Sequence, residues 1–157
     1  MTRDRDELVS VNIIWSYPRG SAVETKGGRD SIYAVDYAAR LADELGADIV
    51  KLNVPKFRDP RNEDSPAPYR KLYQEWKELE ENEAYRLAVE KVVASAGKTM
   101  VLFSGGIRIS DEDLLLKARI CIEAGATGLI FGRNMWQRPF QEGLAITQRV
   151  KEILLAS

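Results

Sequence analysis

The chain has 157 residues, enough for one ordinary domain with a sizeable core and too few for two. Its 23 basic and 24 acidic residues leave a net charge of -1, which excludes the broad phosphate-seeking surface of a nucleic-acid binder. The lack of histidine removes imidazole bases, Ser-His-Asp triads and most zinc sites; the single cysteine, Cys121, rules out an internal disulfide and fits a reducing cytoplasm.

Residues 1–10 are charged and lack the apolar core of a signal peptide, and no apolar run approaches membrane-spanning length, so a soluble, cytoplasmic protein is expected. Residues 11–15 are apolar apart from Asn12 and end at Ser16-Tyr17-Pro18-Arg19-Gly20, which predicts a strand running into a turn, with Ile13, Trp15 and Tyr17 on one face. After a polar linker over 21–30, Ile32, Val35, Ala38, Ala39, Ala42 and Leu45 recur at helical spacing. Asp30 or Ser31 is the N-cap and Gly46 the stop. A second strand over 49–52 follows, where alternation puts Ile49, Lys51 and Asn53 on one face and Val50 and Leu52 on the other.

Residues 54–68 carry prolines and charges without periodicity and predict a long loop, either a lid or a surface excursion. From 69 to 96 the composition is helical, with a break near Asn82 and a stop at Gly97; the run Glu78-Leu79-Glu80-Glu81 reads as a solvated face, and Tyr73 and Trp76 as packing residues. A third strand over 99–103 ends at Ser104-Gly105-Gly106. Ser110 then caps a helix over 111–123 that Gly125 ends, with Cys121 as a small core residue. A fourth strand over 128–131 runs into Gly132-Arg133-Asn134, and a last helix carries Leu144, Ile146, Val150, Ile153 and Leu154 on its apolar positions.

Four strand-then-helix repeats imply a parallel α/β sheet. Special turns after each strand point to a (β/α) barrel of the TIM type, whose site is built at the carboxyl ends of its strands; an open doubly wound sheet is the runner-up, but no G-x-G-x-x-G follows the first strand. A complete barrel has eight units and about 250 residues. The reading is therefore a single domain over 1–157 that forms half a barrel with four βα units.

The strand ends gather Trp15 and Tyr17, Lys51, Ser104-Gly105-Gly106, and Gly132-Arg133. A lysine in an apolar strand is either desolvated toward the neutral amine that a nucleophile needs, or reaches along the strand end to water with no chemical task. The glycine turns offer backbone N–H groups to an anion, or are turn geometry alone; Arg133 adds a planar cationic fork. A neutral amine can attack a carbonyl to form an iminium, through which an adjacent carbon–carbon bond breaks; Tyr17 is the candidate to move the proton, against simple packing.

Trp15-Ser16-Tyr17-Pro18-Arg19-Gly20, Ala47-Asp48-Ile49-Val50-Lys51, Ser104-Gly105-Gly106 and Gly132-Arg133-Asn134-Met135-Trp136-Gln137-Arg138 closely resemble the archaeal-type class I fructose-bisphosphate aldolases. The helix with Tyr37-Ala38-Ala39-Arg40-Leu41-Ala42 and Leu45-Gly46-Ala47-Asp48 is similar to that family too. The resemblance implies that Lys51 is the Schiff-base lysine, Tyr17 the acid/base residue and Trp15 part of the substrate channel. It further implies that Ser104, Gly105, Gly106, Gly132 and Arg133 hold the phosphate of dihydroxyacetone phosphate, that Arg19 serves the other phosphate, and that no metal is needed. It covers the C-terminal half of the family's barrel; the first four strands, with an aspartate that contributes to the site, have no counterpart here. The expected substrate is a phosphorylated sugar, and the expected partners are another copy or a complementing half-barrel chain, with no nucleic acid and no membrane. A thiolase or transaldolase-like synthase, and a non-catalytic half-barrel that scaffolds a partner, are the alternatives.

Overall fold

Four short strands, β1 (Ile13–Trp15), β2 (Ile49–Asn53), β3 (Met100–Ser104) and β4 (Gly128–Ile130), pair in the order in which they occur, every pair parallel. These coordinates are a computed structural model that describes residues 10–156; the rest of the charged lead-in lies outside the described residues. Neighbour order equal to chain order is the progression of a (β/α) barrel. A doubly wound sheet reverses direction at a switch point, and this one does not.

The helices in chain order are α1 (Ser21–Glu24), α2 (Ile32–Glu44), α3 (Ala67–Trp76), α4 (Glu81–Ser95), α5 (Asp111–Glu123), α6 (Arg133–Trp136) and α7 (Phe140–Leu155). Two of them begin where the sequence places their caps: Ser31 Oγ accepts from the Ala34 N–H at 3.2 Å, and Ser110 Oγ from the Asp113 N–H at 3.1 Å. Gly46 and Gly125 end α2 and α5 with φ of 75° and 90°, which a side chain would strain. Ser31 takes the cap, so Asp30 is left to turn toward the strand ends.

Strand pleating divides the sheet into unlike faces. Val50, Leu52, Val101 and Phe103 are fully buried against Val35, Ala38, Ala39 and Ala42 of α2, Val89 and Val92 of α4, and Cys121 of α5. The small side chains of α2 let its backbone approach the sheet closely. On the opposite face Ile13, Trp15 and Met100 stay 50%, 68% and 44% exposed. On the helix side α2 carries an exposed apolar stripe of its own: Tyr37 and Leu41, with Leu45 at its C-cap, follow one another at one-turn spacing and are all exposed.

Several expectations change in detail. The break in the second helical stretch falls at residues 77–80 rather than near Asn82, because the Glu80 carboxylate caps α4, accepting from the Asn82 and Glu83 N–H groups. The glutamate run is solvated as read, and lies in the junction that leads into α4. The stretch 54–68 is a built loop, not a bare excursion: a 3-10 turn (Pro60–Asp64) carries Asn62, which is buried and donates to the carbonyls of Lys56, Phe57 and Asp59 while accepting from the Ile32 N–H. Phe57 packs there against the tilted rings of Tyr73 and Trp76. The one-turn helices α1 and α6 were not legible as helices, and in α7 only Ile146 and Val150 are buried, Leu144 being exposed. Among the described residues no helix is long and apolar enough to cross a membrane.

Candidate active site

Register puts Lys51 level with Trp15 on one side and Leu102 on the other. Lys51 Nζ lies 5.5 Å from the Trp15 ring centroid and 5.9 Å from that of Tyr17, within cation–π reach of both. Beyond Trp15 the chain stays pinned to its neighbours: the Ser16 N–H donates to the Lys51 carbonyl at 3.1 Å and Ser16 Oγ to the Ala38 carbonyl at 2.9 Å. These two bonds hold Tyr17 beside the lysine. Of the two readings of this lysine, desolvated or reaching water, the structure takes neither extreme: Lys51 is half-buried, the strand's sealed side chains are Val50 and Leu52, and Lys51 points to the uncovered face.

One strand further along, Ser104 Oγ donates to Asn53 Oδ1 at 2.8 Å, and Asn53 Nδ2 donates to Asp30 Oδ1 at 2.9 Å. Asp30, nearly buried, also pairs with Lys56 Nζ at 3.0 Å. This polar chain ties β3 to β2 and to the loop before α2. Sequence reasoning named Ser104 but missed Asn53, Asp30 and Lys56 as site residues. The shared face of Lys51 and Asn53 was the available signal for Asn53; Lys56, in an aperiodic loop, gave none.

The glycine turns play unequal parts. The Gly105 N–H is donated to the Ile130 carbonyl at 3.1 Å, so it is not available to an anion as the sequence reading supposed. Gly105 matters instead for lacking a side chain: a Cβ there would collide with the Phe131 ring and lie 3.1 Å from Asn134 Nδ2. Gly106 has φ of 66°, a backbone state that favours glycine. An open groove of about 1080 Å³ is lined by Tyr17, Arg19, Lys51, Ser104, Gly105, Gly106, Gly132 and Arg133, with further residues of the loops. The structure thus brings together every residue singled out from the sequence, Trp15 standing over Lys51 at the open edge.

Two groups with displaced titration lie deeper than the groove's floor of strand ends. Burial pushes the Cys121 thiol up to about 12, as fits a core residue, and pushes the phenol of Tyr85, whose Oη is buried without a partner, well above its usual range. Among the described residues no group of three or more cysteine, aspartate or glutamate side chains is placed to hold a metal ion.

Comparison with known proteins gives a consistent result. The family model described as DeoC/LacD family aldolase matches residues 6–138. The class 1 fructose-bisphosphate aldolase of Halobacterium salinarum is 38% identical over 136 residues, covering 87% of this chain and 39% of that protein. A Methanocaldococcus jannaschii protein named fructose-bisphosphate aldolase/6-deoxy-5-ketofructose 1-phosphate synthase is 34% identical over 146 residues, 92% of this chain and 38% of that one. The solved archaeal fructose-1,6-bisphosphate aldolase with its catalytic lysine bound as the carbinolamine intermediate superposes with a TM-score of 0.63 at 30% identity, over 90% of this chain and 44% of that one. The chain therefore spans less than half the length of the relatives it matches.

Proposed function

We propose that this chain, which belongs to the DeoC/LacD family of aldolases, is one domain carrying the lysine-bearing half of a Schiff-base aldolase for the reversible cleavage of fructose 1,6-bisphosphate to dihydroxyacetone phosphate and glyceraldehyde 3-phosphate. The observation that carries this reading is Lys51 Nζ set between the Trp15 and Tyr17 rings, with the turns of β3 and β4 beside it.

The chemistry follows from those groups. The neutral Lys51 amine adds to the C2 carbonyl and water leaves, giving an iminium. The C3–C4 bond then breaks as its electrons pass to the iminium nitrogen to form an enamine, while the C4 hydroxyl gives up its proton and C4 departs as the aldehyde carbonyl; protonation of the enamine at C3 and addition of water to the iminium then release dihydroxyacetone phosphate and restore the amine. Tyr17 is assigned to move a proton in this sequence. Ser104, Gly106, Gly132 and Arg133 hold the phosphate of the dihydroxyacetone portion, with Gly105 shaping the turn, and Arg19 serves the other phosphate. Trp15 walls the channel. The iminium supplies the electron sink, so the reading needs no metal and no cofactor.

A second reading keeps the lysine and changes the substrate: the two activities named for the Methanocaldococcus relative favour a synthase acting on another phosphorylated carbonyl. The reading includes a partner. The bare inner face and the exposed stripe of α2 fit four further βα units, from a complementing chain or a second copy, without which the half-barrel is a non-catalytic scaffold. A cytoplasmic setting fits the single buried thiol.

Borohydride reduction in the presence of dihydroxyacetone phosphate, followed by peptide mass mapping, is expected to place the adduct on Lys51. Lys51→Arg is expected to abolish trapping, since a guanidinium does not deprotonate to a nucleophile. A folded chain with no adduct on Lys51 overturns the reading, and light scattering on the same sample gives its mass in solution.

A further inference from the structure

Asn134 directly follows Gly132-Arg133, yet its side chain works on the other turn. It is fully buried; Nδ2 donates to the Gly105 carbonyl and to the Ile107 carbonyl, each at 3.0 Å, and Oδ1 accepts from the Ile109 N–H at 3.0 Å. The amide thus uses both donors and its acceptor on backbone of the turn after β3. The Gly105 carbonyl and the Gly106 N–H belong to one planar trans peptide and point in opposite directions. Drawing that carbonyl toward Asn134 turns the Gly106 N–H the other way, away from the buried asparagine, and Gly106 lines the groove.

The clamp is itself held. Arg138 Nε donates to the Asn134 carbonyl at 2.5 Å, and Nη1 of this nearly buried side chain pairs with Asp111 at the start of α5. The turns after β3 and β4 are therefore one rigid piece, with Asn134 as the joint.

We propose that Asn134 is a positioning residue that welds the two turns into a single anion cradle by fixing the direction of the Gly106 N–H. This rests on the phosphate part of the reading above and not on its Schiff-base part. Asn134→Asp is the sharpest probe: it keeps size and the acceptor for Ile109, but sets a carboxylate against two carbonyl oxygens. A control with the same architecture is available in Asn62, which clamps the loop after β2 through the same kinds of bond.

The experiment is a titration of the isotope-labelled chain with inorganic phosphate, followed by amide NMR. In the unsubstituted protein the Gly106 and Arg133 amides are expected to move with one common dissociation constant. In Asn134→Asp the Gly106 response is expected to weaken about tenfold, while Asn62→Asp, though less stable, titrates like the parent. Equal affinity in Asn134→Asp and the parent, equal loss in both variants, or a Gly106 amide that ignores phosphate in the unsubstituted protein would each overturn the inference. If Asn134→Asp does not fold, the parent decides alone: the Asn134 side-chain amide hydrogens are expected to exchange more slowly when phosphate is bound, and unchanged exchange overturns the clamp. Trapping of unphosphorylated dihydroxyacetone on Lys51 tests the Schiff base separately, so the two readings fail independently.

Discussion

The two faces of the four-stranded sheet are built from the same strands and have opposite fates. On the helix side Val50, Leu52, Val101 and Phe103 are sealed; on the other, Ile13, Trp15 and Met100 meet solvent and Lys51 is half-buried among them. Stability is thus concentrated on the face that does no chemistry, and the face with the candidate nucleophile contributes little to holding this chain together.

That contrast can be broken by substitution. Phe103→Ala removes the largest of the fully buried side chains and is expected to cost about 3–5 kcal/mol, read from denaturant unfolding. Asn62→Ala leaves three carbonyls and one N–H in a buried loop without their partner; a loss of about 1–3 kcal/mol is expected by the same measurement. Ile13→Ser on the open face should change stability by no more than about 0.5 kcal/mol. A loss there as large as that of Phe103→Ala would mean that the inner face is already covered in solution, and would turn the comparison around.

At neutral pH no effect is expected from the Cys121 thiol. Buried and with its thiol held near 12, it should not react with a thiol reagent in the folded chain at pH 8. A folded value raised above the unfolded one of about 8.5 contributes stability that is complete below that pH and is lost as pH rises toward 12. Unfolding midpoints of the parent and Cys121→Ala measured from pH 7 to 10 should therefore converge on the alkaline side. Parallel curves would show that the thiol does not take part.

Much of this was legible because local rules and the global fold agree. Ser31 and Ser110 start helices where a hydroxyl can meet an orphan N–H, and period-two alternation told Val50 from Lys51. The candidate site residues were legible as strand ends, which chain-ordered strands bring to one rim. What escaped depends on tertiary partners. Nothing local in residues 54–68 says that Asn62 will find the Ile32 N–H, or that Asp30, freed from capping, will pair with Lys56. The burial of Lys51 stayed open for a related reason: strand composition reports on both faces together, and only one of them is covered here. The Gly105 N–H, read as a donor for ligand, is spent on Ile130 because the ladder between β3 and β4 continues one residue past the strand.

The contact between Gly105 and Phe131 carries a consequence for how such chains can diversify. A methyl at 105 would meet that ring and crowd Asn134 Nδ2, so the position is matched in size to both neighbours, and shrinking Phe131 relieves the closer of the two contacts. The order of replacements then matters: Phe131→Val ahead of Gly105→Ala removes the ring contact before the methyl arrives and leaves Asn134 Nδ2, at 3.1 Å, to give way.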